Sequence, residues 1–167
     1  MMSRRMFLGG TAVAGALAAM GIALRDGKAE AAGGSAFEVI KTEAEWKELL
    51  TPEQFYVLRE EGTERPGSSP LNKEKRAGTF HCAGCNLALF PSRTKYESGT
   101  GWPSFYAPLD DAIRTSEDRT FFMTRTEVHC RRCGGHLGHV FDDGPKPTGK
   151  RYCMNGVAMT FEPSGAA

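Results

Sequence analysis

Thr126-Glu127-Val128-His129-Cys130-Arg131-Arg132-Cys133-Gly134-Gly135-His136-Leu137-Gly138-His139-Val140-Phe141 reads as a short strand, a Cys-x-x-Cys turn and a further run carrying two histidines. The same arrangement stands earlier, where Thr79-Phe80-His81 leads into Cys82-Ala83-Gly84-Cys85 and Leu87-Ala88-Leu89-Phe90 leaves it. Two residues between cysteines let both sulfurs of a turn face one metal ion, so two such knuckles can close a tetrahedral thiolate cage around a single zinc. A zinc held by four thiolates has no open coordination position, and Cys82, Cys85, Cys130 and Cys133 are therefore expected to staple the fold. Disulfides are the alternative use of these cysteines, but a disulfide framework does not call for two matched knuckles. His81 and His129, each directly before a knuckle, are either substitute ligands or ordinary strand-end residues.

Of the five cysteines, Cys153 alone stands outside the pairs, in Arg151-Tyr152-Cys153-Met154-Asn155. An unpaired cysteine can be a small buried hydrophobe, or it can be a nucleophile. Read as one strand from Tyr152 to Phe161, with side chains alternating between faces, the segment puts Arg151, Cys153, Asn155, Val157, Met159 and Phe161 on one face. A cation and an amide would then accompany the thiol, and Arg151 could stabilise its thiolate. His136 and His139 are three apart and would face opposite ways in a plain strand, unless a bulge at Gly138 turns both inward. Histidine is the side chain suited to donating a proton near neutral pH. Trp102, in Gly101-Trp102-Pro103, is either core or pocket wall, and Asp142 and Asp143 before Gly144-Pro145 are either turn residues or site residues.

The 167 residues, 40% hydrophobic and 25% charged, have the composition of one globular domain without repeats. Residues 1–31 read differently: Arg4-Arg5, an uncharged Ala/Gly-rich run to Leu24 and Ala29-Glu30-Ala31 form a twin-arginine-type export signal with a small-x-small cleavage site. Left uncut, the 19 residues from Met6 to Leu24 would be long enough to anchor in a bilayer. Cleavage would leave 32–40 as a flexible new N-terminus, a domain over 41–162 and a tail at 163–167. It removes four of the 21 basic and two of the 20 acidic residues, leaving 17 against 18, with no basic footprint for nucleic acid. Thr42-Glu43-Ala44-Glu45 fits a capping box opening a helix with Trp46, Leu49 and Leu50 as its stripe. Thr51-Pro52-Glu53-Gln54 opens a second, with Phe55 and Leu58 buried and Gly62 as its stop.

Residues 40–162 resemble the type-B methionine sulfoxide reductases, on the strength of Gly101-Trp102-Pro103-Ser104-Phe105, both cysteine pairs, Gly135 to Phe141 and Arg151-Tyr152-Cys153-Met154-Asn155. The resemblance implies a mainly β fold of two packed antiparallel sheets with short N-terminal helices, one structural zinc, and reduction of the R epimer of methionine sulfoxide in peptides and proteins. It implies Cys153 as nucleophile, Trp102 and Phe141 as the pocket for the S-methyl group, and His136, His139, Asp143 and Asn155 around water and the sulfoxide oxygen. Many members carry a second, resolving cysteine where this chain has Thr100. The sulfenic acid left on Cys153 is therefore expected to need an external thiol, such as a thioredoxin-like protein. The expected protein is an exported, periplasmic monomer. A zinc-ribbon binding module without catalysis, and a thiol-disulfide exchange enzyme using one Cys-x-x-Cys pair, are the rival readings.

Overall fold

The structure is a computed structural model describing residues 37–119 and 124–165. The export signal predicted over 1–31, and the strand expected at Thr120 to Met123, lie outside the described residues. Two helices come first, each opened by the local chemistry its sequence announces. In α1 (Glu43–Leu49) the Thr42 hydroxyl accepts from the Glu45 N–H while the Glu45 carboxylate accepts from the Thr42 N–H, a reciprocal capping box. In α2 (Pro52–Glu60) Thr51 and Gln54 repeat it, and Pro52 fills the first turn, where no donor is lost. Two details differ from expectation. Leu49 is exposed and only Trp46 and Leu50, one turn apart, face inward from this region. The left-handed residue ending α2 is Glu61 (φ 56°) rather than Gly62, whose N–H bonds back to the Tyr56 carbonyl.

Nine strands follow among the described residues: β1 (Gly78–Cys82), β2 (Ala88–Pro91), β3 (Lys95–Tyr96), β4 (Ser104–Phe105), β5 (Ile113–Asp118), β6 (Arg125–Cys130), β7 (His136–Phe141), β8 (Arg151–Met154) and β9 (Met159–Pro163). They form two antiparallel sheets, one ordered β2-β1-β9 and the other β3-β4-β8-β7-β6-β5. The sheets meet through aromatic rings. Phe105 of β4 stacks on Phe90 of β2 with centroids 4.4 Å apart and takes Phe80 of β1 edge-on at 4.9 Å, and all three are fully buried. Each such ring contributes about 1.5–3 kcal/mol by leaving water. Arg59 of α2 lies over the Trp46 ring at 4.9 Å and donates to the Cys133 carbonyl at 3.0 Å, tying the helices to the second knuckle.

The single closing strand expected from Tyr152 to Phe161 is two. After Met154 the chain makes a 3₁₀ turn over Gly156–Ala158 and re-enters as β9, which pairs with β1 in the other sheet. The cause is long-range: the carboxylate of Glu64 takes the N–H groups of Gly156 and Val157 at 2.7 and 2.9 Å and draws them out of the ladder. Alternation therefore holds for Arg151 and Cys153 against Tyr152 and Met154, and stops there.

Candidate active site and metal centre

The two knuckles are built alike. Cys82 and Cys130 each accept, at their carbonyls, the N–H of the residue four ahead, Asn86 and Gly134, at 2.8 and 2.9 Å. Their own N–H groups donate to the carbonyls five ahead, Leu87 and Gly135. Asn86 (φ 56°) and Gly134 (φ 69°) both turn left-handed, a conformation that asparagine and glycine tolerate. The turns face each other so that all four sulfurs lie within 4.8 Å of one another, with Cys82 to Cys133 at 3.7 Å and Cys85 to Cys130 at 3.5 Å. Sulfurs at the corners of a zinc tetrahedron with bonds of about 2.3 Å sit about 3.8 Å apart, so the donor set fits that ion. None of the four is in a disulfide. His81 turns instead to the Asn86 carbonyl and Glu162, and His129 packs edge-on to Phe37, so neither takes part in the thiolate cluster.

Cys153 lies elsewhere, in the middle of the larger sheet. Reading across the register, Ser104 of β4, Cys153 of β8, His139 of β7, Glu127 of β6 and Ser116 of β5 form one row. Paired residues point to the same face, so thiol, imidazole and carboxylate share one side of the sheet, while Phe105, Tyr152, Met154 and Val128 occupy the core side. One extra residue in β7 opposite β6, at Leu137, supplies the expected bulge one position before Gly138. It brings the rings of His136 and His139 together, edge to face at 5.3 Å.

Cys153 opens into a hollow of about 120 Å³ whose wall includes Trp102, His139, Phe141 and Asn155, together with Thr63, Arg125 and Gly138. Asn155 is buried, its amide donating to the Leu137 carbonyl at 3.2 Å and its oxygen accepting from the Glu64 N–H at 3.0 Å. The Glu64 carbonyl in turn accepts the Trp102 indole N–H at 3.2 Å. One residue thus fixes both the amide and the indole that face the thiol. His139 places Nε2 2.8 Å from Asp118, which also holds Arg125 at 2.6 Å. Burial pushes the proton affinity of His139 below the ordinary histidine value, with the hydrogen bond to Asp118 opposing it. Facing a carboxylate, Nε2 is the nitrogen that carries the hydrogen in the neutral ring.

Three predicted site residues, His136, Asp143 and Arg151, stand back from the hollow. His136 is buried behind His139 with Nδ1 on Glu127 at 2.8 Å, a contact that holds the Glu127 carboxyl down to about 2, with the Ser116 hydroxyl adding to it. Asp143 is not part of the wall. It clasps Arg151 through two bonds of 2.8 Å, and Arg151 lies over the Phe141 ring at 4.4 Å. Arg151 is close enough to Cys153 for their charges to interact while it is also paired with Asp143. Sequence reasoning missed Thr63, Glu64, Asp118, Arg125 and Glu127. A larger hollow of about 560 Å³, lined by Tyr56, Val57, Leu71, Val157 and Met159 among others, has no cysteine or histidine in its wall.

The profile of the SelR domain matches residues 50–163, which contain both knuckles and the whole of this wall. The chain belongs to the SelR family, the type-B methionine sulfoxide reductases. It is 58% identical over 125 residues to the peptide methionine sulfoxide reductase MsrB of Methanosarcina barkeri, covering 74% of this chain and 88% of that protein. To the protein of the same name from Pseudomonas putida strain W619 it is 54% identical over 131 residues, 78% of this chain and 98% of the relative. For that of Agrobacterium fabrum the figures are 52% over 127 residues, 75% and 94%. In this family member the four-cysteine cluster, positioned to bind a metal ion, and the fifth thiol, open to a small hollow, are thus separate centres.

Proposed function

We propose that this SelR-family chain reduces methionine-R-sulfoxide in peptides and proteins, with Cys153 as nucleophile. The observation that carries the reading is that the one cysteine outside the metal cluster opens into a hollow bounded by an indole, a buried amide and an imidazole. The Cys153 thiolate attacks the sulfoxide sulfur, the oxygen takes a proton, and the S–O bond breaks as hydroxyl passes to Cys153. The substrate sulfur gains two electrons and leaves as thioether, and the enzyme is left as Cys153 sulfenic acid. Two external thiols then return Cys153 to a thiol, releasing water and a disulfide.

Each group has a task that its surroundings support. The Trp102 face and Phe141 accommodate the S-methyl end, and the Trp102 ring suits a sulfur that becomes more positive under attack. Asn155 Nδ2 and His139 lie on the side where the oxygen must sit. With Nε2 committed to Asp118, the proton that His139 delivers resides on Nδ1 of the imidazolium. His136 braces the His139 ring from behind, and the knuckles, loaded with one zinc, hold the start of β7 from which both histidines project. The bulk of a substrate protein stays outside the hollow, and the reductant is a thioredoxin-like or other thiol. Residues 1–31 direct export to the periplasm, and the chain works as a monomer.

The test is turnover of each methionine sulfoxide epimer by the purified chain with dithiothreitol. The R epimer should be reduced and the S epimer left, and Cys153→Ser should be inactive. Without reductant, about one equivalent of sulfoxide should be consumed and dimedone should label Cys153. A disulfide from Cys153 to a knuckle cysteine in the reacted protein would refute the external-thiol step, and full activity in Cys153→Ser would refute the mechanism. Cell fractionation of the wild type and of Arg4→Lys with Arg5→Lys tests export: precursor should accumulate inside only for the double variant.

A further inference from the structure

A chain of side-chain hydroxyls ends on the Cys153 sulfur. Ser104 Oγ, buried in β4 and in the same row as Cys153, lies 2.7 Å from Ser98 Oγ. Ser98 Oγ lies 2.8 Å from Thr100 Oγ1, which is 3.7 Å from Cys153 Sγ. At its far end the chain meets an acceptor that has no hydrogen to give, the Trp102 carbonyl, 3.2 Å from Ser104 Oγ.

Counting hydrogens shows what such a chain does. Each hydroxyl has one to donate. While Cys153 is a thiol, S–H donates to Thr100, Thr100 to Ser98, Ser98 to Ser104 and Ser104 to the Trp102 carbonyl, so every hydrogen is used. When the thiol loses its proton, Thr100 and Ser98 need only rotate: Thr100 donates to the sulfur and Ser98 to Thr100. Ser104 stays on its carbonyl, and the vacated acceptor position on Ser98 faces the Thr100 N–H at 3.4 Å. The same four groups satisfy both ionisation states without moving a heavy atom.

The charged neighbours of Cys153 leave this work to be done. Arg151 on its own strand is paired with Asp143. His139, across β7, loses proton affinity to burial, and Arg125 behind it is paired with Asp118. Tyr96 of β3, which faces Cys153 from the edge, is neutral, its phenol pushed up by burial. Arg151 is shared with Asp143, so a hydroxyl dipole aimed at the sulfur adds to what that one cation gives its anion.

We propose that Thr100 is the hydrogen-bond donor to the Cys153 thiolate, aligned for that task by Ser98 and Ser104. This deepens the reading of Cys153 as nucleophile and rests on it. Thr100 touches the reacting sulfur and is a catalytic residue; Ser98 and Ser104 are positioning residues.

The experiment is the pH dependence of Cys153 alkylation by iodoacetamide in the full chain, with the labelled peptide quantified by mass spectrometry so that the knuckle cysteines do not contribute. Thr100→Val keeps the branched shape and removes the hydroxyl. It should raise the apparent Cys153 pKa by about one unit, a tenfold loss of thiolate below it, with the thermal midpoint unchanged. Thr100→Ser should restore the wild-type profile, and Ser98→Ala should fall between the two. A Thr100→Val profile identical to wild type, or no recovery in Thr100→Ser, overturns the proposal. If Thr100→Val fails to fold, Ser98→Ala decides: a raised pKa supports the chain and an unchanged one overturns it. The titration uses no sulfoxide, so retained turnover in Cys153→Ser would defeat the functional reading without being mistaken for a result about Thr100.

Discussion

Replacing Glu64 by glutamine should weaken the fold and the site together, and the contacts allow the size to be worked out. Its two carboxylate oxygens each take one backbone N–H, from Gly156 at 2.7 Å and Val157 at 2.9 Å. Glutamine retains one oxygen and turns an NH₂ group toward the other N–H, donor against donor. The variant loses one charge-assisted bond and leaves a half-buried N–H without a partner, a cost of about 1–3 kcal/mol. Glu64→Ala removes both acceptors, and with water admitted to the gap the loss should be about 2–4 kcal/mol. With a urea slope on the order of 1–3 kcal/mol per molar, a 2 kcal/mol loss moves the midpoint by roughly 1 M. The assay is urea unfolding of Glu64→Gln and Glu64→Ala beside Glu53→Gln, an exposed helical position, with kcat and KM measured for methionine-R-sulfoxide. Because the turn begins directly after Asn155, kcat/KM should fall by more than the loss of folded protein accounts for. A Glu64→Gln midpoint no lower than that of Glu53→Gln would refute the clip, and unchanged kcat/KM would refute its link to the site.

The metal-loaded chain should contain one zinc, and Cys82→Ser or exhaustive chelation should cost most of the folded state. Structural zinc sites contribute on the order of 10 kcal/mol, against a margin of about 5–15; metal analysis with the thermal midpoint checks this. In Gly138→Ala the new methyl would press into the Cys153 carbonyl oxygen and lie 3.0 Å from Met154 Cα, at a φ of 154° that side chains avoid. A loss of about 2–3 kcal/mol, or roughly 10 °C in midpoint, should follow, with β7 displaced from β8 and activity lost. Burial lowers the proton affinity of His139 relative to its unfolded value near 6.5, so its contribution to stability is complete above about pH 6.5 and shrinks as pH falls through that range. Urea midpoints at pH 8 and 5.5 should therefore differ less in His139→Gln than in wild type. His139→Ala should lower kcat by roughly a hundredfold or more with KM little changed, the scale for losing a positioned proton donor.

What was legible in the sequence was what short range decides. The capping boxes at Thr42 and Thr51 involve groups three residues apart, and each knuckle is closed by bonds within six residues. The two faces of β8 follow from alternation over four residues. Register and distant partners were not legible. β5 was missed because Arg114-Thr115-Ser116-Glu117 is an exposed edge with no apolar alternation to announce it. Without β5, neither Asp118 against Arg125 nor Ser116 against Glu127 can be placed, and the carboxylates behind both histidines stay hidden. Glu64 lies 38 residues from Trp102 and 91 or more from Asn155, Gly156 and Val157, so nothing local marks it. The break between β8 and β9 is invisible for the same reason, since an apolar run with period two continues through it.

The arrangement also indicates how a metal ion bound by the knuckles would govern chemistry at Cys153 without taking part in it. β7 begins three residues after Cys133, and the Cys130 N–H closes on the Gly135 carbonyl immediately before His136. The knuckle therefore sets both the register at which β7 enters the sheet and the position of the bulge at Leu137. A slip of one residue there would send His139 to the core face and leave Cys153 opposite Gly138 or Val140 instead of an imidazole. Loosening the knuckle without unfolding the sheet should consequently lower kcat before it lowers the ability of iodoacetamide to find Cys153, because that thiol is held from the other side, by β4 through Ser104 and Phe105. Partial metal removal followed by both readouts on one sample distinguishes this from general unfolding, in which turnover would fall in step with the loss of folded structure.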